Sequence, residues 1–165
     1  AIGYLARVQR ADGAFVPLWF GNQHVPGDEN PTYGTSRVLL ALEAARGQVL
    51  IDVGPARSRA IGWLLIAQNP DGGWGGDRGA PSSIEETALA TSGLGACADN
   101  EEASRAADRG ARWLAHATCR GTSFPPSPIG LYFAKLWYYE RLYPMAFVTE
   151  ALERVGEPRS PKPEA

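Results

Sequence analysis

One motif occurs three times in this chain, and a repeat constrains the fold of a sequence more strongly than any single segment does. The first copy reads AIGYL from Ala1, followed by Gln9, Asp12-Gly13 and Phe15. The second copy begins at Ala60 and has the same order of residue types, while a weaker third copy from Arg109 lacks the glutamine and the glycine pair. We therefore expect helical units of one kind that stack on one another.

Each copy is typical of a helix that ends in a tight turn. In the second copy Ile61, Leu64 and Leu65 have helical spacing, and residues 69–73 are turn formers that precede Trp74. No segment alternates apolar and polar residues for long enough to predict a strand. The sequence therefore predicts an all-α fold, with helix–turn–helix units arranged in a ring or solenoid.

Further segments are predicted to form partner helices, because their apolar residues follow helical spacing. They are residues 36–45, residues 85–98, and a last helix from about Ile129 to Val155 with a break near Pro144. Residues 24–31 are predicted to form an exposed loop with solvated acidic residues. Residues 156–165 are rich in proline and charge, so we expect a disordered tail after a folded body of residues 1–155.

Composition excludes several classes of protein. Sixteen basic and eighteen acidic residues argue against a nucleic-acid partner, and no apolar run approaches the ~20 residues of a membrane span. Cys97, Cys119, His24 and His116 show no metal-ligand spacing, which predicts neither a zinc site nor a disulfide framework and favours a reduced, cytosolic context. Because the only methionine is Met145, we expect the chain to be part of a longer protein.

The second copy resembles the QW repeat of the squalene-hopene and oxidosqualene cyclase family. The matching pattern is Arg59-Ala60-x-x-Trp63-Leu64-x-x-x-Gln68-x-x-x-Gly72-x-Trp74. Two flanking segments are also similar to family segments, in the family's order. They are Asp12-Gly13 through Trp19 to Tyr33-Gly34-Thr35, and Phe124-Pro125 through Tyr139 to Tyr143-Pro144. The resemblance implies that the chain is the C-terminal part of an α/α barrel (toroid) domain.

The resemblance also implies an activity. Members of this family, the class II terpene cyclases, protonate a squalene-like polyene with an aspartic acid of a D-x-D-D motif, and carbocations then propagate through a closed apolar cavity. The implied substrate is a squalene-like polyprenyl compound, with no cofactor and no metal. The implied setting is cytoplasmic or peripheral (monotopic) at the cytoplasmic membrane, with the rest of the barrel or another copy of the chain as partner.

Aromatic residues are the candidate cavity wall, because an aromatic face stabilises a cation without attacking it. By resemblance, the cavity aromatics are Trp19, Phe124, Tyr132 and Tyr139, and Tyr33 corresponds to a tyrosine near the family's acid. The alternative for each ring is an ordinary place in the hydrophobic core.

A second group of residues belongs to the repeats themselves and is expected to have a structural role. In the family the tryptophan of the repeat packs against the glutamine, whose amide ties one helix end to its neighbour. The corresponding residues are Gln9, Phe15, Trp63, Gln68 and Trp74.

The catalytic acid of the family is missing from these residues. No two aspartates lie within three positions of each other, so the chain contains no D-x-D-D. We therefore expect it to supply cavity wall but no proton, and to be inactive alone. Ser82 or Ser83 forms a capping box with Glu85 or Glu86 in one interpretation. In the other, Glu85 or Glu86 faces the cavity and terminates or steers a cation as a base.

Two other functions remain open at this point. One is a non-catalytic α/α repeat module, which keeps the packing motif without the chemistry. The other is a prenyltransferase β-subunit-like protein, which shares the barrel fold but needs aspartate, cysteine and histidine on zinc. An upstream D-x-D-D would favour the cyclase over both.

Overall fold

The computed structural model describes residues 2–131 and 136–156. Within these ranges the chain forms six α-helices and three short β-strands. The helices are α1 (Ile2–Val8), α2 (Pro31–Ala45), α3 (Gly54–Ala67), α4 (Ile84–Gly95), α5 (Glu101–Ala117) and α6 (Leu142–Val155). The strands are β1 (Phe20–Gly21), β2 (Ser127–Leu131) and β3 (Leu136–Glu140). All but Gly156 of the predicted tail lies outside the described residues.

The helices form two layers. Helices α2, α4 and α6 lie side by side with α4 in the middle, while α3 and α5 pack behind them. Helices α2, α4 and α6 run in the same direction. At one end, Asn30 at the start of α2 contacts Glu86 in the first turn of α4. At the other end, a Cβ on Gly95 of α4 would lie 2.8 Å from Val155 of α6. The N-terminal ends of α2, α4 and α6 therefore meet at one end of the molecule.

Short polar residues start three of these helices. Asn30, Ser83 and Asn100 each accept a hydrogen bond from the backbone N–H three residues further on, at 2.9–3.2 Å. Such N-caps satisfy donors that the first helical turn leaves without a partner. The cap at Asn30 starts α2 at Pro31, five residues before the predicted start, and α4 ends at Gly95 rather than at residue 98.

The core lies between the two layers. Trp63 and Trp74 are fully buried there, with relative exposures of 1% and 0%. Every residue of α4 from Glu85 to Leu94 is buried, so α4 is the central helix of the molecule. Its many small side chains allow helices on both sides to approach closely. The predicted α/α architecture is confirmed for this helical body.

The predicted last helix is wrong over its first half. Residues 127–131 and 136–140 form β2 and β3, which join β1 in an antiparallel sheet of order β1-β2-β3. Pro128 and Gly130 are poor helix formers, whereas the aromatic run after Leu136 suits a strand. Pro144 falls in the first turn of α6, where proline is tolerated, so no break occurs there. The expectation that the chain has no strand is therefore also wrong.

The predicted exposed loop before α2 is partly wrong as well. Residues Pro26–Asp28 form a 3-10 turn, and Val25 and Asn30 are buried, at 6% and 2% exposure. Asn30 is buried because its side chain both caps α2 and reaches α4. Glu29 remains at the surface, where it pairs with Arg10 at 2.7 Å.

Candidate functional site at the ends of three helices

The first junction between repeats is a compact set of side-chain contacts. The Gln9 amide donates hydrogen bonds to the carbonyl oxygens of Gly13 and Ala56, at 2.9 Å each. The Arg59 guanidinium donates to Oε1 of Gln9 at 2.6 and 2.9 Å. The Trp63 indole N–H donates to Oδ2 of Asp12 at 3.1 Å. The turn of the first repeat is thereby bound to the helix of the second.

The second junction repeats this arrangement. Gln68 donates to the carbonyl oxygens of Gly72 and Ala106, at 2.9 and 3.0 Å, and accepts from the Arg109 guanidinium. The Trp113 indole N–H donates to Oδ2 of Asp71 at 3.0 Å. In both junctions the indole N–H therefore binds an aspartate, while an arginine binds the glutamine.

Sequence reasoning included the two arginines in the repeat but gave them no role. Arg59 and Arg109 each stand four positions before the tryptophan of their repeat, and this common position was the signal that could have identified them. The third repeat ends differently, since Thr118 stands in place of the glutamine. Its hydroxyl donates to the Leu114 carbonyl of its own helix at 2.7 Å, so this residue contacts α5 itself.

A second group of side chains gathers where the N-terminal ends of α2, α4 and α6 meet. We call Tyr33, Glu85 and Tyr143 the helix-end cluster, because each lies in the first turn of its helix. Burial raises the pKa of the Tyr33 phenol, Arg37 opposes this, and the nearby Glu85 and Tyr143 raise it further. The three parallel helices thus bring two phenols and one carboxylate close enough to interact electrostatically. The Arg37 guanidinium lies one helical turn after Tyr33.

Aromatic rings flank this cluster. Phe20 of β1 stacks on Tyr33 with 4.5 Å between ring centroids, and Tyr143 stacks on Phe147 at 5.7 Å. Trp19 immediately precedes β1 and is 58% exposed. The surface around the helix-end cluster is therefore aromatic, and part of it is open to solvent.

Glu85 and Glu86 have different surroundings although they are adjacent. Oε1 of Glu86 accepts hydrogen bonds from the amides of Asn22 and Asn30 at 2.9 Å each, and Oε2 accepts from the Ser83 hydroxyl. Ser83 and Glu86 thus form the N-cap half of the predicted capping box, since the Glu86 N–H donates to the Ser83 hydroxyl at 3.2 Å. The Ser83 N–H donates to the Trp74 carbonyl oxygen instead of to Glu86. The Glu86 carboxylate holds the loop before α2 against the start of α4.

The remaining cavity candidates lie in several places. Phe124 packs against the buried cluster between α4, α5 and α6. Tyr139 lies on β3 and is 69% exposed, and the strand register places it on the sheet face opposite Phe20. Tyr132 lies outside the described residues. Of the four candidates that the structure describes, Tyr33 belongs to the helix-end cluster, and Phe124 packs in the same apolar group as Phe147, on which Tyr143 stacks.

The opposite end of the layer carries a different polar group. Arg57 bridges Glu43 and Asp99, and thereby joins α3 to α2 and to the connection between α4 and α5. Burial, with the nearby Glu43, raises the pKa of the Cys97 thiol to about 12. A thiol with so high a pKa stays protonated and is a poor nucleophile. This end of the molecule is therefore held by ion pairs and contains no activated cysteine at position 97.

Comparisons with known proteins agree with one another. The family profile "Squalene-hopene cyclase C-terminal domain" matches residues 1–157. A probable squalene-hopene cyclase of Sinorhizobium fredii is 35% identical over 127 residues, which cover 70% of this chain and 18% of that protein. A drimenyl diphosphate synthase of Streptomyces showdoensis is 36% identical over 96 residues, which cover 57% and 16%.

A solved structure is similar over nearly the whole chain. The ent-copalyl diphosphate synthase from Streptomyces platensis has a TM-score of 0.66 and 25% identity, and the match covers 94% of this chain and 27% of that one. The chain spans less than a fifth of the length of the curated relatives it matches. None of the described helices has the length and hydrophobicity needed to cross a membrane.

Proposed function

Because the chain belongs to the squalene-hopene cyclase C-terminal domain family, we propose that it forms part of the cavity wall of a class II terpene cyclase. The observation that supports this most directly is the helix-end cluster. Three parallel helices bring Tyr33, Glu85 and Tyr143 together, and Phe20, the residue after Trp19, stacks on Tyr33. A wall of this kind suits a reaction that passes through carbocations.

The chemistry follows from what a carbocation needs. Water must be excluded, because it captures the cation before the rings close. The positive charge must also be stabilised without a nucleophile, and a desolvated aromatic face contributes about 2 kcal/mol to this. In this proposal Trp19, Phe20 and Tyr33 offer such faces, and the rest of the barrel closes the cavity.

The proton comes from elsewhere in the enzyme. These 165 residues contain no D-x-D-D, so the acid that starts the cascade is supplied from outside them. The isolated chain is therefore expected to be inactive. A complete reading frame without D-x-D-D would overturn the proposed activity.

The substrate class is a polyprenyl compound, either squalene-like or a prenyl diphosphate. The test is to incubate the full-length protein with squalene and, separately, with farnesyl and geranylgeranyl diphosphate, and to identify products by gas chromatography and mass spectrometry. A cyclic product from any of the three supports the proposal. Trp19→Ala should change the product pattern or rate while leaving the far-UV circular dichroism spectrum unchanged. Unfolding of this variant would instead assign Trp19 a structural role.

Peripheral attachment to a membrane is a second part of the proposal. Val49, Leu50 and Ile51 are exposed in the connection between α2 and α3, and Leu50 is fully so. Three adjacent exposed apolar side chains suit contact with lipid acyl chains. Flotation of the full-length protein with phospholipid vesicles tests this, and Leu50→Glu should lower the bound fraction. Equal binding of both proteins would exclude this loop as the attachment site.

A further inference from the structure

We infer that Glu86 is a positioning residue, whose carboxylate sets how the Phe20 ring lies on Tyr33 and thereby selects the product that the enzyme releases. The inference rests on the proposed function, in which these two rings line the cavity. Glu86 acts through the rings, and no contact between its carboxylate and the substrate is part of the inference.

The Glu86 carboxylate is a buried point of contact between three parts of the chain. The residue is 5% exposed, and its Oε1 accepts hydrogen bonds from the side-chain amides of Asn22 and Asn30 at 2.9 Å each. Its Oε2 accepts a hydrogen bond from the Ser83 hydroxyl, so both oxygens are engaged. Asn30 and Ser83 in turn are the N-caps of α2 and α4. One carboxylate thereby joins the loop before α2 to the first turns of both helices.

Asn22 carries this contact into the loop. Its side-chain oxygen accepts a hydrogen bond from the His24 N–H at 2.9 Å. Its backbone N–H donates to the Asp28 carbonyl oxygen, and its carbonyl oxygen accepts from the Val25 N–H, at 3.1 Å each. In addition, a Cβ on Gly76 would lie 2.5 Å from the Asn22 Cβ, so backbone packs directly against this side chain. The position of Asn22 and the conformation of the loop are therefore coupled.

The two rings of one stacked pair each lie close in sequence to an asparagine of this contact. Phe20 is two residues before Asn22, and β1, to which it belongs, is paired with β2. Tyr33 is three residues after Asn30, and its backbone N–H donates to the Asn30 side chain at 3.1 Å. The rings stack with 4.5 Å between their centroids and 23° between their planes. Each ring is thus tied through one asparagine to the same carboxylate oxygen.

The position of an aromatic face matters in a reaction that passes through carbocations. A ring attracts a cation within about 6 Å of its centroid, so the position of the ring selects which carbon of the polyene is stabilised. A misplacement of about 1 Å can slow a step by about 100-fold, and competing steps then lead to other products. Hydrogen bonds to a carboxylate suit this task, because they are about twice as strong as bonds between neutral groups.

The experiment compares two variants of the full-length enzyme on the polyprenyl substrate that the wild type converts. Glu86→Leu removes both acceptor oxygens, whereas Glu86→Gln keeps one oxygen for the two asparagine amides. We expect Glu86→Leu to raise the ratio of by-products to main product about tenfold or more, and Glu86→Gln to stay within about twofold of wild type. Gas chromatography with mass spectrometry measures this ratio.

Amide hydrogen exchange shows whether the loop is the part that responds. Exchange in residues 20–28 should rise in Glu86→Leu but not in Glu86→Gln, because hydrogen bonds centred on Asn22 hold this segment. Asn22→Ala should shift the product ratio in the same direction as Glu86→Leu. The double variant should shift it no further, since both substitutions break the same link.

Asn100→Ala is the control for a loss of stability alone. It removes the N-cap of α5, which lies at the opposite end of α4 from Glu86. This variant should leave the product ratio and the exchange of residues 20–28 at their wild-type values.

Each outcome decides the inference. A Glu86→Leu enzyme with the wild-type product ratio overturns it, and so does an Asn100→Ala enzyme whose ratio shifts as far. If Glu86→Leu does not fold, Asn22→Ala decides in its place, because it leaves the N-caps of α2 and α4 intact, and an unchanged ratio overturns the inference. A wild-type enzyme that converts no polyprenyl substrate is a different result, which removes the proposed function and this inference with it.

Discussion

The two junctions between repeats have the same polar contacts but differ in the aromatic residue that packs beside those contacts. In each, a glutamine donates to two carbonyl oxygens, an arginine binds that glutamine, and an aspartate accepts from an indole. The aromatic residue after the turn also repeats a contact, since its backbone N–H donates to a threonine hydroxyl at 2.9 Å, from Phe15 to Thr35 and from Trp74 to Thr87.

The junctions differ in the aromatic ring and in the room around the glycine. Trp74 adds a hydrogen bond from its indole to the Leu64 carbonyl at 2.8 Å, which a phenylalanine cannot make. A Cβ on Gly13 would lie 2.4 Å from the Arg59 carbonyl oxygen, whereas one on Gly72 would lie 3.4 Å from that of Arg109. The two junctions therefore share their hydrogen bonds. They differ in the aromatic side chain and in the distance between the turn and the neighbouring helix.

The largest expected effect is at the aromatic ring of the second junction. Trp74→Ala should lower the free energy of unfolding by about 3–5 kcal/mol, because it leaves a large cavity in the core. Trp74→Phe makes the second junction like the first and should cost about 1–3 kcal/mol, from the lost indole bond and lost volume. Urea titration followed by circular dichroism measures both. A Trp74→Phe protein as stable as wild type would mean that the extra bond contributes nothing.

Replacing the glycines of the two turns by alanine should lower the stability of the protein by different amounts. Both have positive φ, +99° at Gly13 and +92° at Gly72, so alanine is strained at each by about 1–3 kcal/mol. Gly13→Ala should cost more, because its Cβ would also collide with backbone. Gly121→Ala is the control, since Gly121 has φ of +83° and open space around it. Equal losses at Gly13 and Gly72 in thermal melts would show that backbone separation does not distinguish the junctions.

Replacing either repeat glutamine by leucine should lower the free energy of unfolding by the same amount. Gln9→Leu and Gln68→Leu each remove two hydrogen bonds to backbone carbonyls, and each should cost about 1–3 kcal/mol. Both side chains are half-buried, so the two losses should agree within about 0.5 kcal/mol in urea titrations. A larger difference would show that the shared polar contacts are not equivalent.

The smallest effect concerns the acid dependence of the second junction. Burial raises the pKa of Asp71, but hydrogen bonds from the Gly73 N–H, the Ser82 hydroxyl and the Trp113 indole outweigh it and lower the pKa overall. The charged carboxylate thus stabilises the fold above its unfolded pKa of about 3.9, and that stabilisation is lost as the pH falls through the folded value.

Asp71→Asn should therefore flatten the decline of melting temperature as the pH falls from about 3.9 through the lower pKa of the folded state. Ser82→Ala removes one of the three donors and should give a smaller change in the same direction. Melting temperatures of wild type and both variants across this range provide the measurement. A decline in Asp71→Asn as steep as in wild type would assign the acid sensitivity to other groups.

Local patterns predicted much of the helical body. The spacing of Ile61, Leu64 and Leu65 and the turn formers after Gln68 indicate α3 and its end, because helical periodicity and turn chemistry act between near neighbours. The sheet could not be predicted in this way. Phe20 pairs with Leu131, and a pairing across so much of the chain leaves no signal within either segment.

The candidate site was predicted in part. Tyr33 was assigned by resemblance, and the structure places it beside Phe20 and Glu85. Tyr139 was assigned in the same way, but strand register places it on the sheet face opposite Phe20. Register shifts of one residue reverse the face of a side chain, so this placement depends on how β3 pairs with β2.

The sequence by itself determined the repeats, their turns and the missing D-x-D-D, because these depend on residues close together in the chain. It left open which of Glu85 and Glu86 is a structural cap. Tertiary structure decided this, since Asn22 and Asn30 reach Glu86 only after the loop before α2 folds against α4. Their hydrogen bonds hold the Glu86 carboxylate against that loop, so Glu86 is the carboxylate that joins the loop to α4.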